Sequence, residues 1–135
     1  FFFFFNEESN SSMFSLPQKY LYEPNSAIII FCGFDAVSSF YNLNKLHKHS
    51  HLYTSTEIKS FPGRVFEIQK IFPYNKSEMK SFLENTQANI TTRNFPDSVE
   101  SIRKKWKIKD GGNSYCFFTT DENNHKIALI CTKIS

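Results

Sequence analysis

Apolar and polar residues alternate with a period of two over VFEIQKIF at 65–72, which predicts a long strand. Val65, Glu67, Gln69 and Ile71 fall on one face, and Phe66, Ile68, Lys70 and Phe72 on the other. The period then changes. Asn75 and Glu78 have capping-box spacing, and Met79, Phe82 and Leu83 recur as the buried face of a helix. Alternation returns over ANITTRNF at 88–95, with Ile90 and Thr92 pointing one way and Thr91 and Arg93 the other. Phe95-Pro96 stops this strand, because proline donates nothing to a ladder and restricts the residue before it. Asp97 or Ser98 caps a second helix, Asp97 having capping-box spacing to Glu100. Val99, Ile102 and Trp106 form its apolar stripe, and Gly111-Gly112 supplies a left-handed stop. Residues 114–120 and 126–134 close the chain as a hairpin around DENN. From Val65 onward the order is β-α-β-α-β-β, an α+β sandwich with its helices on one sheet face.

The first half is patterned less regularly. Phe1 to Phe5 reads as a buried strand, NEESNSS as a polar turn, and 13–16 as the returning strand of an N-terminal β-hairpin. YLYEPN at 20–25 is extended. Asn25 caps a strongly apolar helix from Ser26 to about Leu43, broken near Gly33. A polar, basic connector over 42–50 leads to a short strand, HLYTS, at 51–55. Phe61-Pro62-Gly63-Arg64 reads as a turn, proline presetting φ and glycine accepting a positive one.

A chain of 135 residues fits one compact domain or two small lobes sharing a core. The longest apolar run, 27–34, is far short of the ~20 residues of a membrane span. The five leading phenylalanines lack a basic flank and do not read as a signal peptide. The first residue is Phe, so the chain reads as a fragment whose N-terminal part is missing. Three cysteines without a CxxC pair argue against a disulfide framework or a zinc site. Cys116 and Cys131 fall on adjacent predicted strands, placed to face each other, and read as reduced core cysteines in a cytoplasmic protein.

Charge changes the picture. From Arg93 to Lys109 there are six bases against two acids, a net of +4, while the whole chain carries +3. On the second helix Arg103, Lys104 and Lys107 lie together beside the apolar stripe, and Lys105 and Lys109 on its other flank. Such a helix is a candidate phosphate-binding surface, or a solvated face that keeps the protein soluble.

Reaction chemistry is missing from the pattern. The four glycines cannot form GxGxxG or a phosphate loop, and no nucleophile–base or acid–base pair stands out. No catalytic residue is assigned, and if the chain belongs to an enzyme, the chemistry lies elsewhere in it. His47, His49 and His51 alternate, but nearby acids or cysteines to complete a metal set are lacking, so they read as surface histidines and no metal is assigned.

The blocks KYLYEPNSAI (19–28), HLYTS (51–55), FPGRVFEI (61–68), ANITTRNFP (88–96) and RKKWKIKDGG (103–112) resemble the C-terminal region of bacterial class I S-adenosylmethionine-dependent methyltransferases. That region joins a small ferredoxin-like piece to a THUMP-like domain. The resemblance runs in order from about residue 19 to 134. It implies a hairpin or linker over 1–18 from a missing N-terminal catalytic domain, a ferredoxin-like piece over 19–64, and a THUMP-like domain over 65–135. It further implies a non-catalytic substrate-recognition module for structured RNA such as tRNA or rRNA. S-adenosylmethionine would belong to the parent enzyme and no cofactor to this chain. The positions carried over for RNA are Arg64, Arg93, Asn94, Arg103, Lys104 and Lys107. Ile30 stands where the family pattern carries a basic residue, so no phosphate contact is carried over there.

Two functional readings remain open. In the first, the basic helix with Arg93 and Arg64 neutralises backbone phosphates, and Trp106, Tyr74 or Tyr53 stacks on a base where exposed. In the second, the region is an intramolecular docking module that packs on the upstream methyltransferase domain through its hairpin and touches no nucleic acid.

Overall fold

The strand that organises the fold is β5 (Gly63–Pro73), in a computed structural model that describes residues 13–25 and 41–134. The expected strand over 1–5, its polar turn and the helix body across 26–40 lie outside the described residues. The preceding strands are β1 (Met13–Phe14), β2 (Tyr20–Pro24), β3 (Asn44–Lys45) and β4 (Tyr53–Ser55). After β5 come α1 (Lys76–Phe82), β6 (Asn89–Arg93), α2 (Val99–Trp106), β7 (Ser114–Thr120) and β8 (Lys126–Lys133). Among the described residues the strands form one mixed sheet in the order β1-β3-β4-β2-β5-β8-β7-β6. No described helix is long and apolar enough to cross a membrane.

β5 joins the two halves because it is long enough to pair twice. Its first residues run antiparallel to β2, Glu67 opposite Tyr20 and Gly63 opposite Pro24. Most of its length runs antiparallel to β8, from Phe66 opposite Lys133 to Pro73 opposite Ile127. Gly63 is needed where β5 meets β2: an added Cβ would lie 2.2 Å from the Glu23 carbonyl oxygen. The sequence motif is thus less a free turn than a point of close backbone approach.

Uninterrupted alternation along β5 does not hold. The register with β8 shifts between Ile68 and Lys70, so Gln69 is an extra residue and the faces exchange after it. Phe66 and Phe72, expected on one face, therefore belong to different cores. Phe72 joins Met79, Leu83, Ile102, Trp106, Cys116 and Phe118 beneath the helices. Phe66 joins Leu21, Leu46, Leu52, Phe117, Leu129 and Cys131 on the opposite face, which the 41–55 segment covers. Tyr22, Leu43, Tyr53 and Val65 make a third, smaller cluster.

The same alternation separates the cysteines. Cys116 and Cys131 do lie on the adjacent strands β7 and β8, but Cys131 is opposite Tyr115 and Cys116 opposite Ile130. Neighbouring residues of a strand face opposite ways, so one thiol points into the helix-side core and the other into the second core. Both are buried and free.

Helix ends are set by local polar groups. Asn75 Oδ1 accepts from the Glu78 amide at 2.8 Å and starts α1. Ser98, not Asp97, caps α2, its Oγ accepting from the Ser101 amide at 3.2 Å. The α2 stop precedes the expected Gly111-Gly112. Lys107 takes the left-handed conformation (φ 54°), and its amide reaches the Arg103 carbonyl. Gly111 and Gly112, also at positive φ, pack against the Gln87 side chain instead. β6 and β7 run parallel, as a helical crossover between them requires.

Candidate functional site

The six positions singled out by sequence fall into two groups on opposite faces of the sheet. Ile90 packs beneath the helices, so strand alternation directs Arg93 to the other face. Arg64 shares that face with Phe66, its guanidinium lying 5.3 Å from the Phe66 ring centroid and 5.9 Å from that of Tyr115.

Both arginines converge on Glu23, which is buried. Arg64 Nε donates to Glu23 Oε1 at 2.6 Å, and an Arg93 terminal nitrogen donates to Oε2 at 2.5 Å. The carboxylate is charged and buried because it has two charged partners, one per oxygen. Each guanidinium keeps about two-fifths of its side-chain surface exposed (40% and 39%).

Next to Arg93, Asn94 sits in the left-handed region (φ 55°) and faces the 41–55 segment. Its Nδ2 lies 3.2 Å from His47 Nδ1, which also receives the His49 amide at 3.0 Å. With Nδ1 accepting, the His47 proton is on Nε2, which meets Asn124 Oδ1 at 2.8 Å. Ser50 Oγ donates to the Thr120 carbonyl at 2.7 Å. Asn94 and His47 thus belong to a polar seam that fixes the first half of the chain onto the β7–β8 hairpin. The connector carrying the histidines turns at 48–50 and His51 has φ 55°, so they do not line up along an extended strand. Among the described residues no three metal-ligating side chains converge.

The second group is on the helix face. Arg103 is only 20% exposed and is committed: it pairs with Asp110 Oδ1 at 3.0 Å and reaches the Ile108 carbonyl. Lys104 and Lys107 are exposed, Lys107 from the cap rather than the helix. None of the ion pairs among the described residues engages Lys104, Lys105 or Lys107.

Placement of α1 and α2 on the same sheet face adds two bases that the sequence reading passed over. Between the helices runs a groove of about 580 Å³, with Lys76 and Lys80 from α1, Lys105 from α2, and Tyr74 and Trp106 in its lining. The available signal was the four-residue spacing of Lys76 and Lys80, which puts both on one helix face. Which neighbour that face would meet is not written locally.

The aromatic lining is held by hydrogen bonds. Trp106 Nε1 donates to the Tyr74 hydroxyl at 3.1 Å, and that hydroxyl donates to Asp97 Oδ2 at 3.3 Å. This accounts for Asp97, released from capping. Burial raises the Tyr74 hydroxyl above its ordinary value; the Trp106 donor opposes the shift, and the Asp97 charge adds to it. Tyr53 is fully buried and Trp106 nearly so, which removes both as open stacking platforms in this conformation; Tyr74 is half-buried.

Two domain families match the chain in succession. A ferredoxin-like domain family matches residues 20–62, and the THUMP domain-like family matches residues 63–133, more than half of the chain. No curated protein matches the chain. Among solved structures, the crystal structure of a "putative methyltransferase" from Porphyromonas gingivalis W83 is similar, with 37% identity and a TM-score of 0.86. That likeness covers 96% of this chain but 33% of the other, so the chain spans about a third of its relative's length. A THUMP-like β-α-β-α-β-β unit grown from β5, with a ferredoxin-like piece paired along β2, places this chain in the THUMP domain-like family.

Proposed function

We propose that the chain is the RNA-recognising region of an S-adenosylmethionine-dependent methyltransferase and takes no part in the chemistry itself. The observation that carries the reading is a set of exposed lysines, Lys76, Lys80, Lys104, Lys105 and Lys107, on the helix face of a THUMP-like domain. Cations without ion-pair partners suit a polyphosphate surface, where each neutralised phosphate releases a counterion. Arg64, Arg93 and Asn94 contribute mainly by fixing the two pieces together, and only the outer N–H groups of the arginines remain for phosphate. Arg103 positions the end of α2 through Asp110. The RNA class we assign is structured RNA such as tRNA or rRNA.

S-adenosylmethionine belongs, in this proposal, to the catalytic part of the longer protein. The described glycines do not fit it: Gly63 is closed by the Glu23 carbonyl, and Gly111 and Gly112 by Gln87. No step is assigned to the cofactor here. With two free buried thiols, we assign a reducing, cytoplasmic setting.

One observation favours a compatible second reading, docking onto the rest of the enzyme. Met13 and Phe14 in β1, the edge strand among the described residues, and Leu16 just after it are 69%, 43% and 48% exposed.

The test is binding of bulk tRNA at two salt concentrations, beside a variant with all five lysines changed to glutamine. Salt-sensitive binding by the wild type that the variant loses supports the proposal. No binding by the folded wild-type chain overturns it in favour of docking.

A further inference from the structure

We infer that the groove between α1 and α2 is the seat of an unpaired RNA strand, its phosphates lying on Lys76, Lys80 and Lys105. The inference rests on the RNA-binding reading above and narrows it to one surface and one form of RNA.

Most other cations near a concave surface are already committed. Arg64 and Arg93 hold Glu23, and Arg103 holds Asp110. Lys45 is buried and donates to the Lys48 carbonyl, and Lys59 reaches the Asn42 carbonyl. Lys76, Lys80 and Lys105 instead converge on the groove from two helices. Lys76 and Lys80 are one turn apart, about 6 Å between Cβ atoms, close to the spacing of neighbouring phosphates along a strand. Lys105 is preplaced across from them, its Nζ 5.2 Å from the Trp106 ring centroid. Cations contributed by both helices around one concave surface suit a single strand, which can lie along it with its phosphates turned to either side. Tyr74, half-buried, lines the cleft, and an aromatic side chain is the kind of group that unpaired bases stack on. Glu84 also lines the groove and is its one carboxylate. It opposes a polyanion, and that makes the inference testable by a gain as well as a loss.

Trp106 is the only tryptophan of the chain and borders the groove, so its fluorescence reports directly on occupancy. The experiment titrates the full chain with an unstructured oligouridylate of about 12 nucleotides, following Trp106 emission at several salt concentrations. Three variants accompany it: Lys76→Ala/Lys80→Ala/Lys105→Ala, Glu84→Gln, and Lys104→Ala/Lys107→Ala. Thermal unfolding of each confirms the fold.

The wild type is expected to bind with an emission change. The groove triple variant should lower the slope of log affinity against log salt by about 2, from three phosphates at roughly 0.7 each. Glu84→Gln should tighten binding roughly threefold. If the wild type binds but the triple variant and Glu84→Gln are unchanged while Lys104→Ala/Lys107→Ala loses affinity, the groove is overturned and the RNA reading survives. Binding of duplex RNA with none of the oligouridylate overturns the unpaired-strand assignment. Failure of the folded wild type to bind any RNA overturns both.

Discussion

Arg93 and Glu23 are 70 residues apart in the chain and lie on strands separated by three others in the sheet, yet Arg93 donates to Glu23 Oε2 at 2.5 Å. The sheet therefore curves until its ferredoxin-like and THUMP-like strands share one carboxylate. Replacing that carboxylate by an amide, Glu23→Gln, leaves two guanidiniums without a counter-charge. Because both are partly exposed, the expected loss is about 2 kcal/mol, below that of a fully buried pair. A lower urea midpoint with an unchanged slope would bear this out. A coupling near zero in double-mutant cycles with Arg64→Ala and Arg93→Ala would sink it.

Gly63→Ala should be costly for a reason unrelated to turn chemistry. Its Cβ would meet the Glu23 carbonyl oxygen at 2.2 Å, so β2 and β5 would have to separate where Arg64 reaches Glu23. We expect a loss of about 3 kcal/mol, measured by thermal or urea unfolding. Wild-type stability would mean that the two strands are not held at this distance.

Ser98→Ala removes the α2 cap and should cost about 1 kcal/mol. Asp97→Ala spares the cap but leaves the Tyr74 hydroxyl without its acceptor, so Trp106 fluorescence should respond more to Asp97→Ala than to Ser98→Ala. Equal unfolding losses with identical emission would place the cap elsewhere.

The thiols set a pH dependence. Burial pushes Cys116 up to about 12 and raises Cys131 as well. An unfolded cysteine ionises near about 8.5, so above that pH the unfolded chain binds fewer protons than the folded one and stability falls as pH rises. The contribution is fully present below the unfolded value and declines from there toward the folded value. Urea midpoints from pH 7 to 10 should therefore decrease, and changing both residues to alanine should flatten that decrease relative to the wild type. Mild oxidation of the folded protein should leave both thiols titratable by a disulfide reagent after unfolding, because they point to opposite sheet faces. A Cys116–Cys131 crosslink formed without unfolding would contradict the register.

The sequence by itself determined the elements of the second half. The two-residue period of β5 and β6, the helical stripe of Val99, Ile102 and Trp106, and the caps at Asn75 and the Asp97-Ser98 pair are local signals, and local sterics decide them. The basic character of α2 was legible for the same reason, since charge is a property of composition. What lay beyond the sequence depended on partners remote in the chain. The bulge at Gln69 exchanges the faces of β5 and sends Phe66 and Phe72 to different cores, and only the pairing with β8 fixes its position. Asp97 and Ser98 compete for one cap, and the tie is broken by Tyr74, which offers Asp97 a hydrogen bond across 23 residues. Arg64 and Arg93 look like free cations in the sequence; Glu23 claims both because folding brings its carboxylate within hydrogen-bond reach across 41 and 70 residues. Lys76 and Lys80 become neighbours of Lys105 only when α1 and α2 pack on the same sheet face. Local chemistry chose the elements, while burial and long-range pairing chose which of their charges were left outside ion pairs.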